Sequence, residues 1–144
     1  MNRKTINRMK LEFDANSQNE AFARMAVSVF AASLDPTLEE ISDLRVVISE
    51  AVTNAVVHAY KNRKGKIILS ATLYSDRYLK LKIQDKGCGI AEPDRCLEPL
   101  YTTDTTGERG GMGFPIMQAM SDSFRMKTAV GVGTTLYIGF RFQG

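Results

Sequence analysis

Residues 66 to 85 read KIILSATLYSDRYLKLKIQD. Lys66 to Ser75 alternates apolar and polar side chains, and Tyr78 to Asp85 does so again. Period-two alternation puts one face of each run into a core and the other into water, which is a strand pattern. Ser75-Asp76-Arg77 joins the two runs, so they predict an antiparallel hairpin. Upstream, Met9 to Phe13 (MKLEF) alternates in the same way and predicts a short first strand. Between them, Ser17 and Glu20 have capping-box spacing. A first helix is expected from there to about Leu34, with Phe22, Met25, Ala26, Val29 and Phe30 as its buried stripe and Arg24 exposed. Pro36 suits the first turn of a second helix that runs to about Tyr60. Its apolar face is Ile41, Leu44, Ile48, Ala51, Val52, Ala55, Val56 and Ala59. Downstream, Gly87 to Gly113 shows no clean period, and an aperiodic stretch of that length is usually functional, for example a lid. A short helix, Phe114 to Met120, and two strands, Ser123 to Ala129 and Thr134 to Phe142, complete the order β-α-α-β-β-lid-α-β-β. The fold class is α+β: a two-layer α/β sandwich, with a mainly antiparallel mixed sheet and its helices on one face.

A chain of 144 residues predicts a single domain, 1–144, with a full core. Hydrophobic residues make up 44% and charged residues 24%, both ordinary for a globular chain. A net charge of +3 is too mild to argue for a direct nucleic-acid partner. The cluster Lys61, Arg63, Lys64 and Lys66 reads as a solvated turn. Cys88 and Cys96 have no metal-type spacing, and a reduced, cytoplasmic setting is expected. The first residues carry no apolar run behind their positive charges, so no signal peptide is expected. No window nears ~18 consecutive apolar residues, so no membrane span or membrane partner is expected.

Several short stretches could carry chemistry. In SEAVTNAVVHAY, Glu50 and Asn54 are one helical turn apart and are expected opposite the centre of the apolar face. A Glu there can act as a base, and an Asn carbonyl oxygen can ligate Mg²⁺ while phosphates complete the shell. On this helix alone, a solvated polar pair is the simpler reading. His58 follows on the same stripe and reads first as a capping or packing residue. In QDKGCGI a strand ends at Asp85 and breaks at Gly87-Cys88-Gly89. That carboxylate can accept from an exocyclic amine such as that of adenine, and the glycines let a flat ligand approach the backbone. An ordinary turn after a polar strand end is the alternative. Cys88 is expected to behave as a small apolar side chain, not a nucleophile.

GERGGMGFP, Gly107 to Pro115, is not a Walker A loop, because no Lys-Ser/Thr follows its last glycine. The dinucleotide fingerprint fails as well, on spacing and for want of a βαβ unit. Gly110, Gly111 and Gly113 nevertheless lead into a helix with Pro115 in its first turn, where free N–H groups can face an anion. Arg109 adds a bidentate guanidinium for phosphate oxygens. A flexible loop ended by a helix remains the alternative. In GVGTTL, the Thr134 hydroxyl could join Asp85 at a purine edge. The order of these parts is what adds up: base and metal ligand, adenine acceptor, Thr-rich lid, phosphate cradle, adenine-side hydroxyl.

That order resembles the Bergerat-fold (GHKL) ATP-binding superfamily, and more closely the bacterial anti-sigma factor serine kinases. SEAVTNAVVHAY resembles their N box, DKGCGI and GGMGF their G1 and G2 boxes, GTT their last motif, and LEPLYTTD the start of their ATP lid. Residues 10 to 60 are similar almost end to end to the sporulation anti-sigma F factors. The resemblance implies an ATP-dependent protein serine kinase with ATP/ADP and Mg²⁺ as cofactors. Glu50 would be the general base, with Arg109 on the terminal phosphates and Asn54 holding Mg²⁺. Asp85 and Thr134 would meet the adenine. Gly87, Gly89, Gly111, Met112 and Gly113 would shape the pocket, with Thr102 and Thr103 in the lid. The implied partners are sigma F, held inactive by a kinase homodimer with Arg24 in the contact, and an anti-anti-sigma protein that supplies the phosphoacceptor serine. The family usually has Ser and Thr at the positions of Gly110 and Pro115, and Pro115 removes a backbone donor near the phosphates. Three alternatives stay open: a stress-response anti-sigma kinase with another sigma partner, an ATP-gated sigma-binding module without catalysis, and the ATP domain of a histidine kinase. Against the last stands the lack of an upstream phosphoacceptor helix pair.

Overall fold

A computed structural model of the chain describes residues 3–90 and 113–144. The strands are β1 (Thr5–Asp14), β2 (Lys66–Tyr74), β3 (Tyr78–Asp85), β4 (Ser123–Ala129) and β5 (Gly133–Arg141). The α-helices are α1 (Gln18–Ala31), α2 (Leu38–Asn54) and α3 (Phe114–Met120). The expected element order is the observed one. The expected lid falls largely on residues 91–112, outside the described residues.

The five strands lie in the order β1-β2-β3-β5-β4. Every neighbouring pair is antiparallel, so the sheet is not mixed. The hairpin read from residues 66–85 pairs in one unbroken register from Tyr74↔Tyr78 to Ile67↔Asp85. Arg77 closes its turn at φ 62°. One face of the sheet carries Ile67, Leu69, Leu81, Ile83, Leu136 and Ile138, all buried under the helices. Helix α2 is the middle of the helical layer, packed between α1 and α3. Its buried residues include Leu44, Ile48, Ala51 and Val52, as the sequence pattern requires.

Helix α1 turns a different face inward from the one expected. Ala23, Val27 and Ala31 are fully buried, whereas Phe22, Met25 and Val29 are 51%, 60% and 67% exposed. Ala26 and Phe30 are half-buried. Apolar residues nearly encircle this helix, so periodicity alone could not choose a face. The structure buries the small residues, whose short side chains let α1 approach α2 closely. Arg24 is half-exposed, with its guanidinium 3.7 Å from the Glu20 carboxylate.

The helix starts also differ from expectation. Ser17 makes no side-chain cap; the Asn16 side-chain oxygen instead accepts from the Asn19 N–H at 3.0 Å. The capping box belongs to α2. Thr37 Oγ1 accepts from the Glu40 N–H at 3.1 Å, and Glu40 Oε1 accepts from the Thr37 N–H at 2.9 Å. Pro36 therefore precedes the cap and is not part of the first turn. Glu40 also accepts from the backbone N–H of Gln143 and Gly144, tying the chain end to the start of α2. Thr37→Ala is expected to lower stability by about 1 kcal/mol, seen as a lower urea midpoint with an unchanged m-value.

The second helix does not stay α-helical to Tyr60. After Asn54 it widens into a π-turn over Ala55–Ala59. Tyr60 N–H donates to Ala55 O at 3.0 Å, and Asn62 N–H to Val56 O at 2.9 Å. Lys61 and Asn62, at φ 52° and 61°, then end it. The basic turn that follows is exposed, and its Lys66 pairs with Asp14.

Candidate functional site

Asp85 ends β3 directly opposite Thr134 near the start of β5. The chain is antiparallel there, so one strand's last carboxylate meets the other's first hydroxyl. Asp85 Oδ1 accepts from the Gly87 N–H at 2.9 Å and from the Thr134 N–H at 3.2 Å. Burial pushes the Asp85 pKa up from its ordinary value, and those two N–H groups oppose the rise. Among the described residues both donors fall on Oδ1, and Asp85 lines the adjoining space.

That space is a cavity of about 260 Å³ under the end of α2. Asn54, His58, Lys61, Asp85 and Thr134 are among its polar groups, and Ile83 and Phe114 are among its apolar walls. The volume and lining suit a flat apolar ring with a few fixed polar contacts. Asn54 is 7% exposed, not solvated as expected. Helix α3 packs on α2, and Cys88 N–H donates to Ala59 O in the π-turn that follows it at 3.0 Å. Among the described residues Asn54 Nδ2 has no hydrogen-bond partner. A buried amide with an unmet end calls for a partner from a bound molecule. His58 is likewise buried and on this wall.

Glu50 is one turn before Asn54 but does not line that cavity. It borders a separate groove with Arg24, Leu38, Ile41 and Arg45. Glu50 meets Gly113, whose φ of 76° opens α3. A Cβ on Gly113 would overlap the Glu50 carboxylate. Of the expected residues, the fold brings Asn54, Asp85, Gly89 and Thr134 to one cavity. Glu50 and Arg24 come to the neighbouring groove, and Gly113 sits against Glu50.

A family model, the histidine kinase-like ATPase domain, matches residues 13–140. The chain is 47% identical over 133 residues to the anti-sigma F factor of Priestia megaterium, covering 92% of this chain and 90% of that one. It is 43% identical over 136 residues to the anti-sigma F factor of Clostridium acetobutylicum, covering 94% of each. The chain belongs to the anti-sigma F factor family. Two solved structures share the fold of this family member. The RsbU and RsbW domains of a Mycobacterium tuberculosis protein superpose with a TM-score of 0.69 at 22% identity, covering 95% of this chain and 33% of that longer one. The catalytic domain of the histidine kinase ThkA does so with a TM-score of 0.57 at 16% identity, covering 93% and 96%.

As an anti-sigma F family member the chain carries a nucleotide-binding domain of the histidine kinase-like ATPase type. The glycines of its DKGCGI stretch have a local reason that the sequence did not suggest. A Cβ on Gly87 would meet Ala59 O, and one on Gly89, at φ 74°, would overlap Ala129 O. These glycines admit neighbouring backbone. Cys88 is exposed on the cavity rim and not packed away, with its thiol 3.4 Å from His58 O. Thr102, Thr103, Arg109, Gly110, Gly111 and Met112 lie outside the described residues, as does Cys96. Pro115 is in the first turn of α3, as expected. Sequence reasoning missed Arg45, which shares the groove with Arg24 and Glu50. It also missed Thr128, whose hydroxyl is 2.8 Å from that of Thr134. The only signal for Thr128 was its place in the alternation Phe124, Met126, Thr128. Among the described residues, no helix is long and apolar enough to cross a membrane.

Proposed function

We propose that this chain is an ATP-dependent protein serine kinase that also binds and inhibits sigma F, and so controls sporulation genes. The observation that carries the reading is the conjunction of Asp85, Thr134 and the unmet Asn54 amide on one cavity, with Glu50 one helical turn away. Asp85 takes the adenine amine, and Asn54 faces the phosphates. Among the described residues no cluster of three or more His, Cys, Asp or Glu offers a complete metal site. Mg²⁺ usually keeps waters and takes phosphate oxygens, and Asn54 would supply a protein oxygen to it. When bound, that ion neutralises charge on the phosphates. Glu50 takes the proton of a serine hydroxyl as the serine oxygen bonds to the γ-phosphorus and ADP departs. Arg109 on the terminal phosphates, and Thr102, Thr103, Gly111 and Met112 around the nucleotide, complete the proposed site.

The phosphoacceptor is a serine of an anti-anti-sigma protein, and the setting is cytoplasmic. The chain acts as one domain and as a homodimer, without direct nucleic-acid contact. Protein partners are supported by the exposed apolar set Phe22, Met25, Val29 and Leu38, the last 90% exposed, next to Arg24. An apolar group of that kind on one face marks an interaction surface. The test is incubation of the full chain with γ-labelled ATP, Mg²⁺ and the anti-anti-sigma protein, followed by co-purification with sigma F. Label on a serine and retention of sigma F are expected. No transfer by the wild type would sink the kinase reading and leave an ATP-gated sigma-binding module in its place. Preference for a stress-response sigma factor over sigma F would reassign the partner.

A further inference from the structure

We infer that the outer face of the sheet is a docking surface for an acidic protein segment with an apolar side chain, seated between the end of β3 and the β4–β5 turn. The inference is independent of the nucleotide reading. Helices cover one face of the sheet, and the other is open. Its outward positions hold Arg8 and Lys10 on β1, Lys80 and Lys82 on β3, and Arg125 and Lys127 on β4, all exposed. Among the described residues none of the six is in an ion pair. The carboxylates on outward strand positions are Glu12 and Asp14, both at the β1 edge, and Asp14 is already paired with Lys66. The chain as a whole is nearly balanced, with 19 Lys and Arg against 16 Asp and Glu. The cations are therefore gathered on this face, not merely abundant. Register makes the array regular. Lys10, Ser70, Lys82, Tyr137 and Arg125 form one row across the five strands. Cations in that row recur on alternate strands, roughly 10 Å apart. That is about one Debye length in physiological salt, so the like charges still repel. An anionic surface laid over the row relieves the repulsion.

Two observations choose a protein over a nucleic acid. The array ends in a groove of about 440 Å³ bordered by Lys82, Lys86, Lys127, Tyr137 and Val132. Val132 is 69% exposed, and a phosphate backbone gives it no apolar partner. The Tyr137 ring has the Arg125 guanidinium 4.5 Å and Lys82 Nζ 5.9 Å from its centroid. Cations held over the ring take the place that a stacked base would need. Among the described residues the carboxylate bordering the groove is Asp85, whose Oδ1 is engaged by the N–H groups of Gly87 and Thr134. A partner carboxylate meets three ammonium groups here, and an apolar neighbour of it meets Val132. The groove at Glu50 and Arg24 belongs to the helical layer on the other side of the sheet, so both surfaces can be occupied at once.

The probe is a fluorescein-labelled random copolymer of glutamate and tyrosine, titrated with the full chain at physiological ionic strength and followed by anisotropy. Labelled poly-L-glutamate and a short DNA duplex are the comparators. The copolymer is expected to bind more tightly than either. Lys82→Glu with Lys127→Glu should weaken it about tenfold or more. Arg63→Glu with Lys64→Glu, which reverses two exposed charges in the turn before β2, should leave it within about twofold. Val132→Ser should weaken the copolymer about fivefold and leave poly-L-glutamate unchanged. Absence of copolymer binding would overturn the inference. So would equal weakening by the two double reversals, which would trace binding to net charge and not to this face. Duplex binding as tight as that of the copolymer would make the face a nucleic-acid surface, and an unchanged copolymer affinity in Val132→Ser would remove the apolar anchor; either result overturns the inference. The comparison of the three polyanions on the wild type decides the matter even if Lys82→Glu with Lys127→Glu does not fold.

Discussion

Glu50→Gln lowers phosphoryl transfer to the anti-anti-sigma serine by roughly 10²–10⁴-fold, the usual contribution of a positioned general base, and leaves nucleotide affinity within a few-fold of wild type. The separation follows from the geometry. Glu50 borders the groove and not the closed cavity, so its carboxylate is not among the groups that would hold the purine. Gln is nearly isosteric and keeps the packing against Gly113. A loss of transfer with ADP binding intact is the expected pair of results in a filter assay and a titration. Full transfer by Glu50→Gln would remove this residue from the chemistry. Loss of both together would mean that Glu50 holds the nucleotide loop in place.

Asp85→Asn abolishes useful nucleotide binding, with a loss on the order of 100-fold or more, since a polar site built for one partner rejects a mismatch strongly. The N–H groups of Gly87 and Thr134 both need an acceptor. The new amide satisfies them with its oxygen and must then point its NH₂ at the adenine amine. Two donors face each other and neither is met. The apo protein should not suffer. Burial raises the folded pKa of Asp85 above the unfolded value, near 3.8. Between those two values the native state binds the extra proton, so stability falls as pH rises through that window and stays lower above it. Asp85→Asn removes that cost, and its apo melting temperature at neutral pH is expected to match or exceed wild type. In the wild type, adenine-nucleotide affinity should weaken on acidification from a pH above the ordinary carboxylate range. A titration from pH 8 to 5 beside Asp85→Asn, whose residual binding stays flat, checks the sign.

Much of the frame was legible before any coordinates. The hairpin at 66–85, the limits of α3 and the inward face of α2 follow from period and turn chemistry, which are local properties. Asp85 at a strand end ahead of two glycines was also legible, because a strand break is written in adjacent residues. What failed was orientation. Residues 21–31 of α1 are apolar on nearly every side, so the inward face is fixed by how close a neighbour can come. That favours Ala23, Val27 and Ala31 over Phe22, Met25 and Val29. The capping box failed for a related reason: Ser17-x-x-Glu20 and Thr37-x-x-Glu40 are equivalent patterns, and the backbone at Ser17 is already helical, at φ −66° and ψ −23°.

The sequence by itself determined the element order, the antiparallel hairpin and the identities of the groups at the site, because covalent spacing sets periodicity and turn chemistry. Tertiary structure decided which of those groups share a space. It enclosed Asn54, sent Glu50 into a groove with Arg24 and Arg45, and set Thr128 behind Thr134. Those outcomes depend on strands far apart in the chain meeting in one register and on a segment after β3 closing over the end of α2. Burial and hydrogen-bond partnership are properties of that assembly and of no single stretch of it.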